Sequence, residues 1–146
     1  MKVEHIKREM LAEHTALRHQ LDIISALVEV PAEETFREEA LREASHELAA
    51  ALVHHMESEE QHLASLSRGG HPHWARHFNE FKHHHVHQRT LLAHFLERVN
   101  AIHSSRRLGE FVDAMATAIR LDMEQEERAL FAQEPKSMEP IRLRSA

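Results

Sequence analysis

The sequence predicts an all-α protein, an up-down-up-down antiparallel four-helix bundle. Three observations carry this. Turn formers are scarce, with three Gly and four Pro in 146 residues, while Ala, Leu, Glu and Arg, all good helix formers, are abundant. Apolar residues recur at steps of three and four through four long segments. The breaks between those segments are short, so consecutive helices must lie side by side and run in opposite directions.

Residues 3–29 form the first predicted helix, with Met10, Leu17, Leu21, Ile24 and Val28 on one face. Pro31 stops it, because proline removes a backbone donor and clashes with the preceding turn. Residues 33–67 form the second, on Leu41, Leu48, Leu52, Leu63 and Leu66. The clearest break is Ser67-Arg68-Gly69-Gly70-His71-Pro72. Residues 73–104 form the third, on Trp74, Phe78, Phe81, Leu92, Phe95, Val99 and Ile102. After a short break from Ser104 to Arg107, residues 107–133 form the fourth, on Phe111, Met115, Ile119, Met123 and Leu130. Each helix is expected to span on the order of 40 Å at ~1.5 Å per residue. Residues 1–133 then make one domain, and Pro135 and Pro140 mark a tail, 134–146, expected to be irregular.

Composition removes several function classes. There is no cysteine, hence no disulfide framework, thiolate metal site or Cys nucleophile. The formal charge is −6, with bases scattered among acids, so no nucleic-acid groove is expected. No apolar run resembles a signal peptide or is long enough to span a membrane, which makes the cytoplasm the expected location. No glycine loop or nucleophile elbow supports Ser/His/Asp catalysis. The outlier is histidine: 16 residues, half of them between His71 and His94. Their internal position argues against a purification tag.

One stretch occurs twice. HHMESEEQHL begins at His54 and LDMEQEERAL at Leu121, each carrying Met-Glu-x-Glu-Glu-x-x-Leu behind an ionisable residue. That residue is His55 in the first copy and Asp122 in the second. The core line of the second helix runs Leu41, Ser45, Leu48, Leu52, His55, Glu59, Leu63, Leu66. The fourth runs Phe111, Met115, Ile119, Asp122, Glu126, Leu130. Two ionisable residues thus interrupt each line where leucine belongs. A carboxylate in a dry core is heavily penalised unless it is paired or bound to metal.

The other two helices add histidines. His14 flanks the apolar face of the first. The same angular offset on the third helix selects His85, with His84 nearly as close on the other flank and His83 and His87 pointing further away. The constellation is His14, His55-x-x-x-Glu59, His85 or His84, and Asp122-x-x-x-Glu126. Spacing of i, i+4 puts both members of a pair on one helix face, one turn apart. One member can then hold a single metal while the carboxylate bridges two. Imidazole and carboxylate without thiolate suit iron or manganese, with zinc also compatible.

These residues resemble the hemerythrin family, specifically its HHE cation-binding domains. The matching pieces are EHTALRHQL, HMESEE, the histidine-rich start of the third helix, and DMEQEERALF. The resemblance covers about Lys2 to Phe131 and implies a bundle holding a non-haem centre of two iron ions. It implies that His14 and His55 ligate one iron and His85 the other, with Glu59 and Glu126 bridging. It also implies binding or sensing of a small diatomic ligand, oxygen or nitric oxide, or of iron. Asp122 departs from the pattern, since the family has histidine there. An oxygen donor would make the site harder and more anionic, and His62 or His84 stands near enough in sequence to compensate. Glu60 and Glu127, each following a proposed bridging residue, are candidates to support the ligands.

The main competing reading is a ferritin-like carboxylate di-metal oxidase, which uses Glu-x-x-His on two helices. Glu59 and His62 supply one such motif, but Glu126 is followed three residues later by Ala129. The sequence also admits metal storage through the surplus histidines, or a polar layer that holds no metal.

Overall fold

A computed structural model describes residues 2–31, 33–69 and 72–131. They form four helices and, among the described residues, no strand: α1 (Lys2–Glu29), α2 (Glu34–Arg68), α3 (Pro72–Ala101) and α4 (Ser105–Phe131). The tail expected from 134 to 146 lies outside the described residues.

Cross-helix contacts fix the directions. Glu9 meets His62 and Glu13 meets Ser58 across α1 and α2. Arg42 and His46 reach the end of α3, whereas Glu60 meets His85 and Arg89 near its middle. Arg18 pairs with Glu127 and Asp22 with Arg120 across α1 and α4. Along each pair, one number rises as the other falls, so neighbours are antiparallel, as an up-down-up-down bundle requires. α2 packs most extensively, against α1 and α3; α3 and α4 touch least. No helix is long and apolar enough to cross a membrane.

The helix ends have local causes. Val30 N–H still reaches the Ala26 carbonyl before Pro31 ends α1. α3 stops at Ala101, three residues before the expected end. There the Arg42 guanidinium donates to the end carbonyls of Val99 and Ile102 (3.3 and 2.6 Å), a cation placed on the negative end of the helix. α4 begins at Ser105, two residues earlier than expected. Ser104 caps it, its Oγ accepting from Arg107 N–H at 3.4 Å and its carbonyl from Leu108 N–H at 2.8 Å. A serine that reads as a break in the sequence is the first cap of the next helix.

The interior is two apolar clusters with a polar layer between. The larger includes Leu17, Leu21, Ile24, Leu41, Leu48, Phe95, Val99, Leu108 and Val112. The smaller holds Ile6, Met10, Leu63, Leu66, Trp74, Phe81 and Leu130. At roughly 1.5–3 kcal/mol for each large side chain fully buried, these clusters dominate the stabilisation. The buried face of α4 is broader than the expected line: Met115, Met123 and Leu130 are buried as expected, Leu108, Val112 and Ala116 are buried beside them, and Phe111 and Ile119 are half-buried. Phe111 is drawn sideways by stacking on Phe95 (ring centroids 5.5 Å apart) beneath the Arg98 guanidinium.

Candidate metal centre

Between the two clusters, all four helices present polar side chains inward at one level. His14 comes from α1, His55 and Glu59 from α2, His84 and His85 from α3, Asp122 and Glu126 from α4. All seven are buried. On each helix the flanking turns carry apolar core residues, such as Met10 and Leu17 around His14, or Phe81 and Leu92 around His85. Those residues fix the helix rotation, and the rotation turns the polar residues inward.

Their nitrogen and oxygen atoms converge. His14 Nε2 lies 3.1 Å from His55 Nε2 and 3.0 Å from Glu126 Oε2. His55 Nε2 lies 3.5 Å from the same Glu126 oxygen and 3.6 Å from Glu59 Oε2. His85 Nε2 is 3.1 Å from Glu59 Oε2, and His84 Nε2 is 2.8 Å from Asp122 Oδ1. Three overlapping trios result: His14–His55–Glu126, Glu59–His85–Glu126 and His84–Asp122–Glu126, the ligand atoms of each lying within 4.8 Å of one another. Each trio is able to hold a metal ion. Glu126 belongs to all three.

The spacing is compatible with a shared cation. Donor atoms ~2.1 Å from one ion and at right angles lie about 3.0 Å apart, close to the His14–His55 and His14–Glu126 separations. Glu59 Oε1 is buried with no hydrogen-bond partner, and Glu126 Oε2 faces two imidazoles without hydrogen-bond alignment to either. Orphaned buried acceptors on the two shared carboxylates are the atoms a cation would satisfy.

Three of the four imidazoles, those of His14, His55 and His85, are braced from behind. His14 Nδ1 donates to Glu127 Oε1 (3.0 Å), itself gripped by both terminal nitrogens of Arg18 (2.7 and 3.0 Å). His55 Nδ1 donates to Glu13 Oε2 (2.7 Å), whose other oxygen accepts from Ser58 Oγ (2.6 Å). His85 Nδ1 donates to Glu60 Oε1 (3.0 Å), which also accepts from Arg89 (2.9 Å). A carboxylate accepts only, so each Nδ1 carries the proton and each Nε2 is left to face the layer.

The charge balance follows. Burial raises the Glu59 carboxyl above its ordinary range, and the nearby Glu126 charge adds to it. Burial does the same to Asp122, with His84 working against the shift. For Glu126, burial is outweighed by the imidazoles of His14 and His55, which hold it below the carboxylate range. Burial resists protonation of His55, but Glu126, Glu13 and Glu59 push its pKa up to about 10. His14 and His85 are raised by the same contest. Without a cation, the layer neutralises itself with protons, which an incoming ion has to displace.

A cavity of about 40 Å³ opens beside the layer between α2, α3 and α4, lined by Leu52, Leu91, Leu92, Met115, Ile119 and Met123 and floored by His55, Asp122, Glu126 and Gln88. Gln88 donates its amide to Asp122 Oδ2.

All seven sequence-predicted residues meet in this layer. His83 and His87 face solvent, and so do Glu57 and Glu124. His62 does not compensate for Asp122: its Nε2 pairs with Glu9 at 3.2 Å, and no metal-competent trio among the described residues contains it. The Glu59-x-x-His62 motif is therefore split, one residue in the layer and the other in the α1–α2 seam. His84 is the residue that meets Asp122. His77, given no role from sequence, is buried between the rings of Trp74 and Phe81. Sequence reasoning missed Glu13 and Gln88. Glu13 directly precedes His14, as Glu60 and Glu127 directly follow Glu59 and Glu126, and that adjacency was the available signal.

No family model, curated protein or solved structure matches the chain. The resemblance to hemerythrins rests on the residues themselves.

Proposed function

We propose that the chain is a hemerythrin-type protein whose polar layer holds two iron ions and binds or senses a small diatomic ligand. The observation that carries this is the sharing of Glu126 among three buried trios, with Glu59 facing both His55 and His85. Two shared carboxylates between imidazoles from opposite sides are what a pair of ions needs. His14 and His55 would hold one ion and His85 the other, with Glu59 and Glu126 between them. Asp122 and His84 would complete the second position on the side facing the cavity. Imidazole and carboxylate favour iron, and also accept manganese or zinc.

Bound iron supplies an open coordination position and reversible redox chemistry. The protein does the rest. The bracing carboxylates fix the tautomer and orientation of His14, His55 and His85. The apolar lining excludes bulk water from the ligand's place. The cavity exceeds the ~10–15 Å³ that a single water needs, which leaves room for a diatomic molecule. Gln88 and Asp122 present hydrogen-bonding groups at its floor.

Displacement of His62 from the layer weighs against the ferritin-like oxidase, since it leaves neither α2 nor α4 with a Glu-x-x-His ligand pair. The test is metal analysis of protein made in iron-replete cells and isolated without an affinity step. About two irons per chain are expected, with charge-transfer absorption in air that changes on reduction and again with nitric oxide. Metal-free protein whose melting is indifferent to chelators and to added iron would refute the reading.

A further inference from the structure

We propose that the seam between α1 and α2 is a loading track, along which a divalent cation passes from solvent to the buried layer. This rests on reading that layer as a metal centre. Side-chain exposure falls along the seam. His5 is 62% exposed and Glu9 44%, His62 is 25% exposed, and Glu13 and His55 are 27% and 5% exposed. The route falls into two contacting groups one helical turn apart. His5 Nε2 lies 3.1 Å from Glu9 Oε1, and His62 Nε2 lies 3.2 Å from Glu9 Oε2. One turn further in, Glu13 accepts from Ser58 at 2.6 Å and from His55 at 2.7 Å.

The register explains the alignment. His5, Glu9 and Glu13 recur every four residues on α1, so they share a face. α2 runs the other way, so a step from Glu9 to Glu13 is matched by a step from His62 back to Ser58. The result is alternating imidazole and carboxylate ending on His55, which is the last residue of the track and the first of the centre. Successive stations are one helical turn apart, about 6 Å.

Two features separate this from ordinary surface pairing. Surface pairs such as His94–Glu97 and Arg106–Glu110 stay within one helix, and Asp22–Arg120 joins two helices without reaching a residue of the layer. Here two groups of contacts follow one another a turn apart along two helices, and the inner one ends on a buried residue of the layer. Glu9 also offers each of its oxygens to a different imidazole, the donor chemistry used in the layer. Among the described residues, donor trios within 4.8 Å are those of the layer, so each station binds more weakly than the destination, as transit demands.

The test uses chelator-stripped whole protein and cobalt(II), followed by rapid mixing through d–d absorption and by final metal content. The double variant Glu9→Gln/His62→Asn is expected to reach the same final cobalt content about tenfold more slowly, the low end of what focusing charges contribute to association rates. The control His94→Asn/Glu97→Gln is expected to load at the wild-type rate. A double variant that loads as fast as wild type overturns the track and leaves the centre standing. A double variant that loads slowly to reduced content also overturns it, because the residues would then be holding the centre together. Wild-type protein that takes up no cobalt overturns both readings.

Discussion

His14 and His55, on different helices, bring their Nε2 atoms to 3.1 Å of each other and to within 3.5 Å of one Glu126 oxygen. Two imidazole nitrogens that close cannot both carry a proton at the point of contact. One proton shared with the carboxylate relieves part of the conflict; a cation relieves all of it. The first expected outcome follows. Iron(II) or zinc at a thousandfold excess over Kd should stabilise the fold by about 4 kcal/mol. For a chain of this size that is on the order of 10 °C in Tm. Calorimetry with and without chelator measures it, and an unchanged Tm would contradict a metal role for the layer.

Glu126 joins all three trios, so Glu126→Ala should abolish binding of both ions. Glu59→Ala should do so as well if Glu59 lies between the two positions. Atomic-emission analysis of each purified variant distinguishes this from a terminal role, in which one full equivalent would survive. Both variants relieve a buried carboxylate and are expected to remain folded.

The braces give a graded test. Glu13→Gln, Glu60→Gln and Glu127→Gln each replace an anion behind an imidazole with a neutral amide of the same shape. Each should weaken metal binding by roughly 10–100-fold. Competition with a coloured chelator reads the loss. Equal affinity across all three variants and wild type would show that the carboxylates serve packing alone.

The proton balance predicts how pH acts. The Glu59 and Asp122 carboxyls are raised in the fold to about 6, so the folded state binds protons that the unfolded state releases. Their favourable contribution is complete below the ordinary carboxylate range and is lost as pH climbs through about 6. His55, raised to about 10, contributes fully below its ordinary range and loses that contribution as pH rises through about 10. Metal-free protein is therefore expected to lose stability from about pH 5.5 to about pH 8, while the stabilisation by metal grows. Melting curves across that range, with and without zinc, check the sign. A metal-induced shift that shrinks with rising pH would contradict it.

Filling the cavity separates ligand binding from metal binding. Ala118 lines it and is half-buried. Ala118→Leu should leave metal content intact and suppress the optical response to nitric oxide or oxygen. A full response in that variant would place the ligand elsewhere.

Much of this was legible in the sequence because it depends on period. Leucines at steps of three and four orient α1 and α2, and the same arithmetic makes His55 and Glu59 conspicuous on a line of leucines. Short connections also gave the antiparallel directions, but side-chain contact across helices is not periodic, and there the sequence was silent. His84 and His85 straddle the inward face of α3, so an angle alone cannot choose between them; the structure uses both, on different partners. Glu13 was marked only by its place beside His14; its partners, Ser58 and His55, are fixed once α1 lies against α2. His62 showed the opposite failure: its spacing fits a ligand motif, yet its side chain turns to Glu9.

The polar layer also interrupts the cooperativity of the bundle. The smaller apolar cluster gathers the first turns of α1, the end of α2, the start of α3 and the last turn of α4. Between it and the larger cluster lie the seven buried polar side chains of the layer. With protons in that joint, this end of the molecule is a separate unit of opening, and its amides should exchange with solvent ahead of those around Leu41 and Val99. With ions in the joint, both ends unfold together. Occupancy of a site at mid-height is thereby converted into the tightness of one end of the bundle.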